Sequence, residues 1–450
     1  MKKFLIVMFQ VSLLFVAVNL YGQEIKKPSE AKALAHLSKG ELDLAKAHID
    51  GYFAEPKNEK KLTKGKPWVT KGKVYAAIAT SDNSDYQKLS DNPLEVAMEA
   101  FNKVKELEKE ASLVYMEVWG PPLPGQNPAV DQLYAHMFEA GVNDFNSDNL
   151  EGAIANFEKA LIIFPADTNS VLNIINAGYN IEDNDVVMKY AKKLIDMEYP
   201  KDFPYRVVSQ LIFTEAQPFQ EKIDEYEGDL RNLYLEVRTA EDSTKVKDEA
   251  SAIQTKLDKA TASAHEVYEK ALEYVNTGLE KFPQSQDLRT QQINSYLKLG
   301  RDEDAISAME QALAEKPDDK QLHFNLGVLY DRIGNLEKSA EAYKKAIELD
   351  SEYFDAVFNL GAAYYTAGNK YINEGNEFID MMGNYTDDKG KELHEKGKDL
   401  FTKAIPYFEK TNELKPEDRQ ALEVLYRLHK VLEHEDKAKA IMDQLNALPE

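Results

Sequence analysis

The amino-acid sequence predicts an all-α fold, in which about eight or nine helix pairs stack into a right-handed superhelix (an α-solenoid) and two helical hairpins project from it. The first observation behind this prediction is a sequence repeat within residues 286–351. Its matched positions, each 34 residues apart, are Tyr296 and Tyr330, Gly300 and Gly334, and Ala312 and Ala346. This period indicates stacked helix-turn-helix units, because one unit cannot bury its apolar face without a neighbour.

The second observation is that helical spacing of apolar residues continues through residues 203–283, which are too many for one ordinary unit. These apolar residues alternate with many charges, as on the exposed faces of paired helices. We predict a pair of lengthened helices with a break at residues 239–244. If each helix gains about 24 residues, the pair projects about 36 Å.

The third observation is an insertion in residues 354–416. Gly368 and Ala404 lie 36 residues apart where the preceding repeats have 5, so 31 residues are extra. A turn is predicted at residues 383–388. Two helices lengthened by about 15 residues each would project about 22 Å.

Composition limits the classes of function. The chain of 450 residues is 43% hydrophobic and 30% charged, which is typical of a folded soluble protein. Its net charge of -23 predicts repulsion of nucleic acid and of anionic lipid. The sequence has no cysteine, so it forms no disulfide, no thiol nucleophile, no Cys-bound metal site and no cysteine-linked lipid anchor.

Residues 1–22 have the pattern of a secretory signal peptide. Lys2 and Lys3 precede an apolar run from Phe4 to Leu20, and Gly22 follows as a small residue at the expected cleavage point. The alternative is a transmembrane anchor, because the run is close to the length that spans a bilayer. We expect cleavage after Gly22, a bacterial protein in the periplasm or outside the cell, no lipoprotein anchor, and no stable membrane insertion afterwards.

The repeat also carries a family pattern. In its second copy the defining positions are Leu326, Gly327, Tyr330, Ser339, Tyr343 and Ala346. This pattern resembles the tetratricopeptide repeat, in which Leu-Gly, Tyr, Ala, an aromatic residue and a closing Pro recur. The resemblance covers nearly all of the chain after the signal segment and is strongest for residues 286–351. It implies a concave face, lined by the first helix of each repeat, that binds peptides or partner helices.

The sequence also predicts domain boundaries. Four prolines between residues 119 and 128 cannot continue a helix, so we expect a joint there. The predicted order is a signal peptide at 1–22, N-terminal helical repeats at 23–118, a Pro/Gly-rich linker at 119–128, and a main array at 129–450 with lengthened pairs at 203–283 and 354–416.

One segment is rich in lysine. Residues 55–73 contain lysines at positions 57, 60, 61, 64, 66, 71 and 73. They indicate either a basic patch for an anion or acidic partner, or a solvated loop before the next helix, and the sequence favours the loop.

No catalytic motif is present. The eight histidines form no His-Glu-x-x-His arrangement, and neither a phosphate-binding loop nor a Gly-x-Ser-x-Gly elbow occurs. On one helix, His429 and His434 would point about 140° apart. The sequence therefore predicts no enzyme, cofactor or metal site.

The candidate binding residues come from the family resemblance. One version of the family clamps a C-terminal carboxylate with two asparagines and several Lys or Arg. Asn294 and Asn325 occupy the asparagine positions, but the basic positions hold Thr290, Asp355 and Asn359, so carboxylate recognition should fail. A second candidate is an exposed aromatic patch beside the second projection, formed by Tyr365, Tyr371 and Phe378.

These observations favour a non-catalytic scaffold that binds other proteins or peptides in the cell envelope. Two alternatives remain: a hydrolase or sugar-binding protein with its site at the base of a hairpin, and an oligomer in which the array assembles with itself. Convergent carboxylates with shifted pKa in a deep pocket would indicate the first alternative.

Overall fold

The computed structural model describes residues 25–122, 127–235, 240–379 and 385–448. Within these ranges the regular elements are helices, and the single β-type pairing is an isolated bridge between Ile379 and Tyr385. The all-α, helical-repeat fold is therefore confirmed. The predicted signal peptide lies outside the described residues.

The chain divides into two compact units, residues 1–200 (unit 1) and 201–450 (unit 2). The helices of unit 1 are α1 (Glu30–Leu37), α2 (Leu42–Ala54), a 3₁₀ helix (Pro56–Lys61), α3 (Gly65–Ala79), α4 (Ser84–Gln87), α5 (Pro93–Leu107), α6 (Leu113–Trp119), α7 (Ala129–Asn146), α8 (Leu150–Ile163), α9 (Thr168–Asn180) and α10 (Asn184–Asp196).

Unit 2 contains longer helices. They are α11 (Phe203–Thr214), α12 (Gln217–Leu235), α13 (Ala240–Lys281), α14 (Gln286–Lys298), α15 (Asp302–Glu315), α16 (Lys320–Arg332), α17 (Leu336–Leu349), α18 (Phe354–Asn376), α19 (Asp388–Leu414), α20 (Arg419–Val431) and α21 (Glu435–Ala447). Over the described part of the chain, the two units together hold nine antiparallel helix pairs.

The turn inside each regular pair has one recurring geometry. A residue with left-handed backbone ends the first helix, and it is Gly300 or Gly334 in the two most regular pairs. The next backbone N–H then donates to the carbonyl five residues earlier, as Arg301 does to Tyr296 at 2.9 Å. Glycine suits this position because it adopts positive φ without steric cost.

A glycine facing an aromatic ring fixes how closely the two helices of a pair approach. A Cβ added at Gly327 would lie 2.6 Å from the ring of Tyr343, and one added at Gly72 would lie 2.3 Å from Phe101. The rings therefore occupy the space that a side chain would need.

The second projection (the α18/α19 hairpin) extends this contact by a seven-residue period. The facing pairs are Gly361 with Phe408, Gly368 with Phe401, and Gly375 with His394. At its centre the backbones also touch, because a Cβ at Gly368 would lie 3.1 Å from the carbonyl oxygen of Gly397. α18 has 23 residues and α19 has 27, so both predicted long helices form. Residues 385–387 of the predicted turn at 383–388 are non-helical, α19 begins at Asp388, and residues 383 and 384 lie outside the described residues.

The first projection (the α12/α13 arm) differs from the prediction in its first helix. That helix is interrupted at Glu215 and Ala216, after which α12 begins. Pro218 explains the break, since it has no N–H to donate to the carbonyl of Thr214. The predicted break at 239–244 is wrong in part, because α13 already begins at Ala240. The rest of that break lies outside the described residues.

The arm has the residue spacing of an antiparallel coiled coil. Its apolar seam follows alternating steps of four and three residues, at Phe219, Ile223, Tyr226, Leu230 and Leu233 on α12 and at Val246, Ala250, Ile253, Leu257, Ala260 and Ala264 on α13. No residue of α12 is fully buried. Two helices alone cannot fully bury the apolar seam between them, so part of the seam is exposed to solvent.

The core of unit 1 is continuous on both sides of the predicted linker. Val118 before it and Val130 and Leu133 after it belong to one buried cluster. Trp119 packs within this region, where its Nε1 donates to the Phe101 carbonyl at 2.8 Å. The boundary between compact units lies at Pro200 and Lys201, and residues 119–128 lie inside unit 1.

Candidate functional site

The best-defined candidate site is a line of side-chain amides on the first helices of three successive pairs in unit 2. Gln291, Asn325 and Asn359 lie on α14, α16 and α18 and are spaced by 34 residues (the amide row). All three side chains are half-buried. The repeat thus gives each of the three helices one side-chain amide at the same position.

The three amides differ in how far they are already engaged. Gln291 accepts a hydrogen bond from the Ser209 hydroxyl (2.6 Å) and donates to the Arg206 carbonyl (3.2 Å). The Asn325 carbonyl oxygen accepts from Gln321 (3.1 Å), and no contact within the described residues uses its NH₂ group. Asn325 therefore has donors for a ligand.

Asn359 supports the packing of its own pair. Its side chain is hydrogen-bonded to the hydroxyl of Tyr343, the ring that faces Gly327. Burial, followed by the charge of Asp331, raises the pKa of Tyr343, so the hydroxyl stays protonated at neutral pH. Asn359 thus joins the amide row to the helix-packing contact beneath it.

The residues at the predicted clamp positions lack the cationic side chains that would bind a carboxylate. Asn294 is exposed and lines a cavity of about 30 Å³ with Gln291, Ser209 and Phe213. The Thr290 hydroxyl is bonded to its own helix, through the Gln286 carbonyl at 2.9 Å. Asp355 is exposed and anionic. A ligand carboxylate would meet this negative charge, as the sequence predicted.

The predicted aromatic patch is only half-exposed. The Tyr365 ring packs against Phe401 with centroids 5.7 Å apart, and Phe378 packs over Gly390. Tyr371 is also half-buried. These rings contribute to the α18/α19 hairpin, and their role in partner binding stays a prediction.

An apolar residue missed by the sequence analysis lies next to the amide row. Val328 is one helical turn from Asn325 on α16 and is 38% exposed. Its position in the repeat, three residues after the amide, was a signal that could have identified it. Asn325 and Val328 together offer a donor and an apolar contact side by side.

Two larger grooves lie elsewhere. In unit 1, α3, α6 and α7 enclose about 910 Å³, with Leu113 88% exposed at the edge and an ion pair between Lys73 and Glu117 inside. In unit 2, α15, α16 and α17 enclose about 570 Å³ with lysines and glutamates of both signs. Neither groove was predicted, because the space between helices depends on how they pack and not on the residue pattern of any one helix.

One histidine prediction is wrong. The Nδ1 atoms of His429 and His434 lie 3.3 Å apart, although a continuous helix would separate them. The helix α20 ends at Val431, and Glu433, whose φ is 61°, then turns the chain so that the His434 N–H donates to the His429 carbonyl. The left-handed turn thus brings residues five apart into contact.

The first helix pair has a comparable histidine contact. His36 Nδ1 lies 2.6 Å from a Glu41 carboxylate oxygen across the same kind of turn. The ring of buried His48 stacks on His36 with centroids 5.2 Å apart. Burial, then His36 and Lys32, lowers the pKa of His48. Both contacts are structural features of terminal helix pairs.

Acid–base and metal chemistry find little support in the described parts of the chain. There, no group of three or more His, Cys, Asp or Glu side chains is arranged to hold a metal ion. Two carboxyl groups, Asp131 and Asp331, have a raised pKa, and burial alone causes each shift. A second carboxylate contributes to neither. Within the same residues, no helix is both long enough and apolar enough to cross a bilayer.

The fold and the repeated turn define the class of protein: it is a helical-repeat protein built from helix-turn-helix units. A family model of the tetratricopeptide repeat matches residues 290–354 and 330–370. A TPR repeat-containing protein of Methanocaldococcus jannaschii is 35% identical over 101 residues, or 22% of this chain and 18% of that relative. Residues 290–370 therefore match the tetratricopeptide repeat, and the chain spans about a fifth of the length of that relative.

Two of the solved structures with likeness to the chain are described as tetratricopeptide-repeat proteins. YrrB, described as having an unusual peptide-binding site, has a TM-score of 0.35 at 15% identity and covers 59% of this chain and 96% of its own. A protein from Bacteroides fragilis has a TM-score of 0.34 at 13% identity, and the match covers 59% of this chain and 99% of that protein. MamA has a TM-score of 0.30 at 18% identity and covers 42% and 91%.

Proposed function

We propose that this protein is a non-catalytic scaffold that binds an extended polypeptide along the amide row of unit 2. The observation that supports the proposal most is the free NH₂ group of Asn325 beside exposed Val328. Side-chain amides both donate and accept, which matches the alternating groups of a peptide backbone. Repeat arrays of this kind use such extended surfaces for binding.

The proposed location is the periplasm or the outside of the cell. It is supported by the basic and apolar pattern of residues 1–22. N-terminal sequencing of the protein exported by a bacterial host would test it. A mature N-terminus at Gln23 is expected, and retention of residues 1–22 in the cytoplasm would contradict it.

Peptide selection tests the binding site directly. A random peptide library is selected against the full chain, and the affinity of a selected peptide is then measured by fluorescence anisotropy. We expect the double variant Asn325→Ala, Asn359→Ala to bind at least about tenfold more weakly, because two hydrogen bonds of roughly 1 kcal/mol each are lost.

The matched control removes two amides from other helices of the same unit. Gln311 on α15 and Asn446 on α21 are exposed, and replacing both with Ala should leave the affinity within about twofold, since exposed surface changes have small effects. Equal weakening by both double variants, or no selected peptide at all, would remove the amide row as the binding site.

The two alternative functions gain no specific support. A hydrolase would need paired carboxylates with shifted pKa in a pocket, and burial alone accounts for the shifts of Asp131 and Asp331. Self-assembly remains testable by light scattering over a range of protein concentrations, where a constant monomer mass would exclude it.

A further inference from the structure

An ordered cluster of lysines lies on the surface of unit 1. Lys57, Lys60, Lys61, Lys64 and Lys66 are all exposed and span the 3₁₀ helix, the residues after it and the start of α3 (the lysine patch). Residues three apart lie on one face of a 3₁₀ helix, so Lys57 and Lys60 point the same way. The sequence favoured a solvated loop here, and the structure has helical segments instead.

Buried contacts hold this segment in place. Asn58 is 2% exposed, and its Nδ2 donates to the Tyr52 carbonyl at 3.0 Å. The Trp68 Nε1 donates to the Leu62 carbonyl at 2.9 Å. These bonds fix the backbone on both sides of Lys60 and Lys61. Because this backbone is already ordered, binding a partner there costs little backbone conformational entropy.

The charges of the lysine patch are mostly not neutralised by the protein. Lys57 pairs with Glu55 at 2.5 Å, and Lys61 donates to Asn58. In the described part of the chain, Lys60, Lys64 and Lys66 have no ion pair within 4.0 Å. The fold therefore holds three ammonium groups close in sequence without a paired carboxylate. Glu59 and the Glu108 carboxylate at Gly65 offset part of their charge, and the remaining positive excess favours an external anion.

The N-terminus of α3 is not itself the anion site. The Gly65 N–H donates to a Glu108 carboxylate oxygen at 2.8 Å, so that end already has an anionic partner. The first turn of α3 contains no acidic residue, and Lys66 lies there instead. Positive charge at a helix N-terminus is unfavourable, which adds to the excess of positive charge at the surface.

The charge of the whole chain decides which partner fits. Unit 2 has 33 Lys and Arg against 50 Asp and Glu, a net charge of -17, whereas unit 1 has 22 against 28. An extended anionic surface, such as a membrane or a nucleic acid, would meet this acidic protein as well as the patch. A short acidic segment would meet only the patch, because salt screens charges beyond about 8 Å.

We propose that the lysine patch is a docking site for a short acidic segment of a partner polypeptide, separate from the amide row. Lysine suits such contacts because its ammonium is a compact charge without a required geometry. Binding of this kind depends steeply on salt and tolerates variation in the partner sequence.

A fluorescent peptide of about ten glutamates serves as the probe, titrated with the full chain at about 20 mM and about 300 mM NaCl. We expect binding at low salt that weakens at least tenfold at high salt. The variant Lys60→Glu, Lys64→Glu, Lys66→Glu should weaken low-salt binding at least tenfold. Circular dichroism checks that it folds, and Lys60→Gln, Lys64→Gln, Lys66→Gln should give a smaller loss in the same direction.

The control makes the same change in net charge on another surface. Lys391→Glu, Lys396→Glu, Lys398→Glu alters three exposed lysines of α19 and should leave probe binding within about twofold. Equal losses in both triple variants would show a general charge effect and overturn the proposal. So would tighter, patch-dependent binding to phosphatidylglycerol vesicles than to the peptide, or no binding to the peptide at low salt.

The double variant Asn325→Ala, Asn359→Ala separates this site from the amide row. It should bind the glutamate probe normally, so failure of one site would leave the other unaffected. Loss of probe binding in that variant would contradict a separate site at the lysine patch.

Discussion

The α12/α13 arm and the α18/α19 hairpin both lengthen a helix pair of unit 2, but they use different residues where the helices meet. In the hairpin, glycines at seven-residue spacing face the rings of Phe401, Phe408 and His394. In the arm, ordinary coiled-coil residues face each other, and no side chain of α12 is fully buried. Gly228 on α12 faces open space.

The difference shows that the length of an insertion does not determine how firmly it is packed. The hairpin repeats the glycine–aromatic contact of a regular pair, so its helices approach until backbone atoms touch. The arm has only the apolar seam between its two helices, and this seam remains partly exposed to solvent. We infer that the hairpin is the stiffer projection and that the arm opens at lower cost.

The largest expected effect comes from removing a ring at the hairpin contact. Phe401 is 2% exposed, so Phe401→Ala should destabilise the hairpin by about 4 kcal/mol through lost burial and a cavity. Hydrogen exchange of the α18 and α19 amides measures this opening free energy. The matched change Leu257→Ala in the half-buried arm seam should cost only about 1–2 kcal/mol. Equal losses of stability in the two variants would contradict the inference that the hairpin is packed more firmly than the arm.

A smaller loss is expected at the glycine opposite that ring. In Gly368→Ala the new methyl would lie 2.7 Å from Phe401, so the helices must separate. We expect a net destabilisation of about 1–2 kcal/mol, since overpacking outweighs the usual helix preference for alanine. The same hydrogen-exchange measurement reports it. An unchanged exchange rate would show that the backbones are not in close contact.

A glycine-to-alanine substitution in the arm should change stability in the opposite direction. Gly228→Ala adds a methyl where nothing lies within 4 Å, and α12 gains helix propensity. The arm should become more stable by about 0.5–1 kcal/mol. Slower exchange of the α12 amides is the expected readout. Faster exchange would indicate that Gly228 has a packing role.

The smallest expected effect is the loss of stability of α20 and α21 at acid pH. The α12/α13 arm and the α18/α19 hairpin serve as internal references in the same measurement. Burial lowers the pKa of His429 below its usual 6.5, and Lys437 and His434 add to this while Glu409 opposes it. The unfolded chain therefore takes up its proton first as the pH falls. Stability of α20 and α21 should be full above pH 6.5 and should decline below it. Hydrogen exchange at about pH 7.5 and about pH 5.5 tests this.

The control for acid sensitivity is His429→Gln. This variant lacks the titrating ring, so exchange in α20 and α21, corrected for intrinsic rates, should no longer depend on pH in this range. Persistent dependence would assign the effect to another group.

Sequence analysis located the repeats and both lengthened pairs because apolar spacing and glycine–aromatic patterns are local signals. It missed the break before Pro218, although the proline was visible, because the apolar pattern continues across it. It misjudged His429 and His434 because their contact depends on a left-handed residue that is glutamate here and not glycine. Asn325 and Asn359 were named from the sequence but Gln291 was not, and the hydrogen bonds that engage Gln291 could not be seen there.

The sequence by itself determined the repeat period, the helix pairs and the excess of acidic residues, because these follow from residue order and composition. Only the tertiary structure decided which surfaces are available for partners. It showed that Gln291 is already engaged while Asn325 retains free donors, and that the lysines before α3 belong to an ordered surface. Availability depends on neighbours distant in the chain, and a linear pattern does not contain that information.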